Sequence, residues 1–247
     1  MLEVQGYSDP MTPRDALTEF LIENIGLLDL PAMTIGRRTP CLEIWFRCVM
    51  PLGRTGIEPT SGLPRTLLDI YSNIGSPSAE TQFTLWTPGK AEIIIQYQYW
   101  EAYRLAGIIV ARSLFYIDTW QGHTSSNGCS NRLALDDDIE SLICRILACA
   151  KALRTAKEED PFQNPLYHCI LAPLFMAALS APASSACRDP AAEEFKNFVD
   201  ERNHPVDQAL WGIVLEVWDR QRERPQCVPL SLANEFAQEM EIELHLY

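Results

Sequence analysis

The run Asp136-Asp137-Asp138-Ile139-Glu140 has the spacing D-D-x-x-E, which on a helix brings Asp136, Asp137 and Glu140 within one turn of each other. Carboxylates one turn apart can share a hard divalent cation such as magnesium, because that ion takes oxygen ligands. A site of this kind would assist departure of an anionic group such as pyrophosphate. The plainer reading is electrostatic: the triplet stands where a helix is expected to start, and acids there are stabilised by the helix dipole without any metal. That plainer reading is the one adopted, and no metal, catalytic, cofactor or DNA-binding residue is assigned.

The same spacing resembles the first metal motif of class I terpene cyclases, which are all-helical, so an enzyme using Asp136, Asp137, Glu140 and magnesium stands as the alternative. The second metal motif of those enzymes has no counterpart, and "NEFAQEME" from Asn234 is a poor match. His123, His168, His204 and His245 form no H-x-x-x-H or H-E-x-x-H pair. His168 adjoins Cys169, but neighbouring helical residues point about 100° apart, which disfavours a nucleophile with its base. "TPGK" at Thr87 to Lys90 lacks the glycines of a phosphate loop and reads as a turn leading into a helix.

The eight cysteines contain no C-x-x-C pair. Cys144, Cys149 and Cys169 lie in apolar helical patterns, where a free cysteine acts as a small hydrophobe. With no Asn-x-Ser/Thr sequon and no signal-like start in "MLEVQGYSDP", the expectation is a reducing, intracellular location. The apolar run "CILAPLFMAALSA" is shorter than the ~20 residues a bilayer span needs, so no membrane association is expected.

The elements that would position these residues read as helices. Thr12-Pro13 suits a cap and first position, opening a helix through Leu17, Phe20, Leu21 and Ile25 that ends near Gly26. "PLGRTGIEPTSGLP" is a loop after an element around "CLEIWFRCVM", and Leu63-Pro64 opens a short helix stopped by Gly75. From about Lys90 to Tyr116 a long pattern, apolar nearly all round between Leu105 and Val110, predicts a central buried helix. An amphipathic helix with Ile139, Leu142, Ile143, Ile146, Ala150 and Leu153 follows the loop "QGHTSSNGCSN". Further helices are expected at about 165 to 180, 190 to 200 and 205 to 223. The last begins with Pro205 and ends in Arg220, Arg222 and Arg224 before Pro225. Its Trp211 and Trp218 extend a wide apolar arc and read as packing residues. No repeat and no strand pairing is evident, so the fold expected is all-α, one helical domain of about seven to nine helices.

A chain of 247 residues, 47% hydrophobic, can bury a substantial core. Its formal charge of -13 opposes a phosphate backbone, which is gripped by clustered Lys and Arg, so no direct nucleic-acid binding is expected. The C-terminal "SLANEFAQEMEIELHLY" alternates acidic and bulky apolar residues, as activation segments do, or forms a last helix or strand packed on the domain.

Taken in order, "SGLPRTLLDIYSNIG", "FTLWTPGK", "YWEAYRLAGIIVARSLF", "PLYHCILAPLFMAALSA", "RDPAAEEFKNF" and "ALWGIVLEVWDRQRE" resemble the regulatory domain of fungal-specific transcription factors of the binuclear zinc cluster class. The resemblance covers residues 60–225 approximately, with Trp218 at the family's late tryptophan, and leaves 1–60 as an N-terminal helical and loop segment and 226–247 as an acidic-hydrophobic tail. The family's zinc cluster is not matched: Cys41 and Cys48 give one C-x6-C interval without the preceding C-x-x-C. The resemblance implies a nuclear transcription regulator or co-regulator of a metabolic gene cluster, such as one for a secondary metabolite, without its own DNA reader. Its implied partner is a protein such as a DNA-binding transcription factor, with a small-molecule effector held between helices as a further expectation. A pure protein-interaction module is the remaining alternative.

Overall fold

The computed structural model describes residues 15–91, 93–122, 128–159 and 165–246, with side chains described for all of these except 115–122, 128–137 and 165. Helix α1 spans Ala16–Leu28 and is capped by Asp15, whose carboxylate accepts the Thr18 backbone N–H at 2.9 Å. The Thr12-Pro13 start falls outside the described residues. One face of α1, with Ile22, Gly26 and Leu27, packs on a π-helical turn at Trp45–Val49, and Gly26 lets the two backbones meet. The other face leaves Leu17, Phe20, Leu21, Ile25 and Leu28 exposed.

Asp29, just past α1, ties down the chain ahead of the π-helical turn. Its carboxylate accepts the backbone N–H groups of Leu42 and Ile44 and pairs with Arg37 at 3.1 Å. Glu23, buried on α1, receives the guanidinium of Arg65 through two contacts of 3.1 and 2.9 Å, which fixes the start of α2, Arg65–Ser72. The loop between them is organised by Glu58, fully buried, which accepts from the Thr60 and Ser61 backbone. Buried carboxylates persist because each is paired in this way.

Helix α3, Ala79–Leu85, lies against α4, Ile95–Gly122. Leu105, Ala106, Ile108, Ile109 and Val110 are all buried, as the apolar run predicts. The helix starts later than expected, and Ile94 remains exposed ahead of it. Helix α5, Gly128–Glu159, packs along α4 through Leu142, Ile143, Ile146, Ala150 and Leu153. A 3-10 turn at Pro165–Cys169 leads into α6, Leu171–Ser180, in which every residue from Leu171 to Leu179 is buried. Pro173 is tolerated because it sits in the first turn, where its missing N–H has no intrahelical acceptor.

Helix α7, Arg188–Arg202, ends on Asn203 in the left-handed region. Helix α8, Pro205–Glu223, begins as the sequence predicts, with proline in its first turn and His204 accepting the Val206 N–H at 3.3 Å. Helix α9, Pro229–Glu239, lies on α8, held by Arg220 to Glu239 at 2.6 Å and Arg224 to Glu235 at 3.2 Å. The arginines at the end of α8 thus reach another helix as well as the dipole.

The expectation of no strand pairing is corrected. Thr34–Ile35, strand β1, pairs antiparallel with Leu244–His245, strand β2, in the register Thr34 to His245 and Ile35 to Leu244. Leu246 extends the contact by donating its N–H to the Met33 carbonyl at 3.0 Å. The C-terminal residues Leu230, Leu232, Ala233, Ala237 and Leu246 are buried in the same core as Ile22 and Trp45. Alternation of acidic and apolar residues here reflects one buried and one exposed side, and the tail is packed on the domain. The architecture is a single all-α domain with nine α-helices among the described residues.

Candidate functional site

The acidic run lies well inside α5, which starts at Gly128, so the expectation that these acids stand at a helix start is corrected. The dipole therefore does not account for them, since it acts within the first turn. The side chains of Asp136 and Asp137 fall outside the described residues. Asp138 is exposed, with a carboxylate oxygen 3.9 Å from the Arg112 guanidinium, and Glu140 is half-buried. Among the described residues no three His, Cys, Asp or Glu converge in a way that could hold a metal ion.

His123 also falls outside the described residues. The other three histidines lie in separate places: His204 caps α8, His245 contacts the Thr34 hydroxyl at 3.0 Å, and His168 lies in the 3-10 turn. The His168 carbonyl accepts from Arg202, which also pairs with buried Asp207 at 2.8 Å and so joins the turn to the corner between α7 and α8. Burial first, then Lys157 and Arg202, pushes the His168 imidazole below its ordinary value. Thr87 to Lys90 lies in the non-helical link between α3 and α4.

The two tryptophans of α8 do different things. Trp211 packs edge to face on Phe195 of α7, ring centroids 6.0 Å apart, and on Trp218 at 6.4 Å. Trp218 donates its indole N–H to the Ala178 carbonyl of α6 at 3.2 Å and carries Arg188 over its ring at 4.0 Å. Both are half-buried against the core, which agrees with a packing role.

A groove of about 260 Å³ opens between α5 and α7, lined by Leu147, Lys151 and Arg154 on one side and Pro190, Glu193, Glu194 and Asn197 on the other. Arg154 bridges it to Glu194 at 2.9 Å, and the Tyr167 hydroxyl reaches Glu194 at 3.4 Å. Burial and the neighbouring Glu194 push the Tyr167 phenol up to about 12. The lining is charged and paired, unlike the apolar pockets of roughly 300–1,000 Å³ that usually hold small molecules. The expected effector pocket therefore has no apolar counterpart in this groove.

The same two helices are joined, one turn before the groove, by a bond that the sequence does not announce. Cys144 of α5 is joined to Cys187, at the cap of α7, by a disulfide with Cα atoms 6.4 Å apart. Cys144 is therefore not the free, core-filling cysteine expected of its helical pattern. Cys149 is, being buried and outside the disulfide, and burial pushes its thiol up to about 11. No local signal marks the pair, because the two residues are 43 positions apart and neither belongs to a recognisable cysteine motif.

No family model matches the chain, and no curated protein or solved structure matches it.

Proposed function

We propose that this chain is a transcription regulator or co-regulator that works in the nucleus through another protein. The observation that supports the reading is one of order. The six phrases behind the resemblance to fungal transcription-factor regulatory domains fall in turn on α2, the end of α3 with its link to α4, α4, the 3-10 turn with α6, α7 and α8. All contribute buried residues to one core. The late tryptophan, Trp218, fastens its helix to α6, as an architectural residue at that place should.

A net charge of -13 agrees with a partner that supplies the DNA contact, because an acidic chain is repelled by phosphate. The regulated genes would be those of a metabolic pathway such as a secondary-metabolite cluster, as is usual for the family resembled.

The test is genetic. Deleting the gene in its host should alter transcripts of a defined gene set, and a tagged chain should concentrate in the nucleus. Unchanged transcripts with a cytoplasmic tag would overturn the reading. Magnesium-dependent release of pyrophosphate from a prenyl diphosphate, lost in the Asp136→Ala, Asp137→Ala variant, would instead establish the enzyme.

A further inference from the structure

We propose that Cys144 and Cys187 are a reversible thiol–disulfide modification site, which exchanges with small-molecule disulfides of the glutathione type and sets how firmly the first turn of α7 is held to α5. The pair is asymmetric. Cys144 is exposed on the outer side of α5, whereas Cys187 is 6% exposed and occupies the cap position of α7. An external reagent therefore meets the Cys144 sulfur, and Cys187 stands behind it.

The exchange balances as two displacements. In oxidation, the Cys144 thiolate attacks a small disulfide RSSR, forming a mixed disulfide and releasing RS⁻. The Cys187 thiolate then attacks the Cys144 sulfur and releases the second RS⁻. The two thiol protons pass to the two departing thiolates, giving two RSH and one protein disulfide. Reduction runs the same steps backward, with an external thiolate attacking Cys144 and Cys187 leaving. Cys149 is buried with no cysteine bonded to it, and burial pushes its thiol up to about 11.

The structural effect is local to one end of the groove. Leu147 lies one turn after Cys144 and Pro190 one turn after Cys187, and both line the groove. The far part of α7 is fastened independently by buried Phe195, Phe198 and Val199, and by Glu194 to Arg154 and Glu201 to Lys157. Its first turn has exposed Asp189 and Pro190, with buried Ala191 and the stacked Arg188 as its other anchors. Reduction thus leaves the first turn held by Ala191 and Arg188 alone, with the rest of α7 in place.

The test uses the full chain equilibrated in glutathione buffers from fully reduced to fully oxidised, then trapped by alkylation and mapped by peptide mass spectrometry. The expected result is reversible loss of two alkylatable thiols, with peptides of Cys144 and Cys187 linked. Amide exchange over 188–192 should slow roughly threefold or more on oxidation, with 195–201 unchanged. Cys187→Ser should accumulate a glutathione adduct at Cys144, Cys144→Ser should show little at Cys187, and Cys169→Ser should behave as wild type. The proposal is overturned if the two peptides never link, if the link resists excess dithiol in the folded protein, if Cys187 takes the adduct as readily as Cys144, or if oxidation leaves exchange over 188–192 unchanged.

Discussion

The guanidinium of Arg188, the first residue of α7, lies over the indole ring of Trp218 in α8, 4.0 Å from the ring centroid. The same indole donates its N–H to the Ala178 carbonyl, so one side chain holds three helices together. Trp218→Ala should cost about 3 kcal/mol, the low end for loss of a buried aromatic, because the ring is only partly buried. Trp218→Phe keeps a ring under Arg188 but strands the Ala178 carbonyl, and should cost about 1 kcal/mol. A double-mutant cycle with Arg188→Ala should return a coupling of roughly 1 kcal/mol, read from urea unfolding. A coupling of zero would mean that the stacking contributes nothing in solution.

Gly107 sits in the middle of α4, where alanine would normally be favoured by about 0.5–1 kcal/mol. Here a β-carbon would come within 2.5 Å of the Phe83 ring of α3. Gly107→Ala should therefore destabilise by about 1–3 kcal/mol, the usual cost of overpacking, and Phe83→Leu in the same chain should recover part of it. Denaturant midpoints of the single and double variants check both statements.

His168 has a pKa held below 6.5 by burial, with Lys157 and Arg202 acting in the same direction. The unfolded chain then binds more protons than the folded one around and below that value, so stability should rise with pH through this window. Equivalently, the contribution present above pH 6.5 is lost as pH falls through the folded value. An NMR titration should place the imidazole midpoint below 6.5, and His168→Gln should flatten the stability profile between pH 5 and 7. A midpoint above 6.5 would contradict the environment described.

The Cys144–Cys187 bond closes a loop across 43 positions. The chain-entropy relation assigns a loop of that length about 4 kcal/mol, an upper figure for what reduction removes. Thermal unfolding with and without dithiol should differ by several degrees, and Cys144→Ser should abolish the difference. Equal midpoints would show that the bond adds no constraint to the unfolded chain.

The parts of this fold that were legible in the sequence are those fixed locally. The apolar run from Leu105 to Val110 announces a buried helix because nothing in it can face water. The corner before α8 is readable because Pro205 and the residues around it carry their own backbone preferences. What escaped depends on contact between distant residues. The β1–β2 pair joins Thr34 to His245, and two-residue strands are too short for an alternating pattern to show. The π-helical turn at Trp45–Val49 lies against α1 at Gly26, a relationship between two elements that neither displays alone. The acidic run at 136–140 was misplaced because the glycine and serine rich stretch before it looks like a loop, yet α5 already begins at Gly128. Only the register of the long helix reveals that the dipole does not explain those acids.

The proposed role as a nuclear regulator acting through a partner protein is tested most directly by deleting the gene in its host and restoring it as a tagged full chain while transcripts are counted genome-wide. A coherent set of transcripts should change on deletion and return on restoration, with the tag in the nucleus. Transcripts indifferent to the deletion, with the restored chain outside the nucleus, would contradict it.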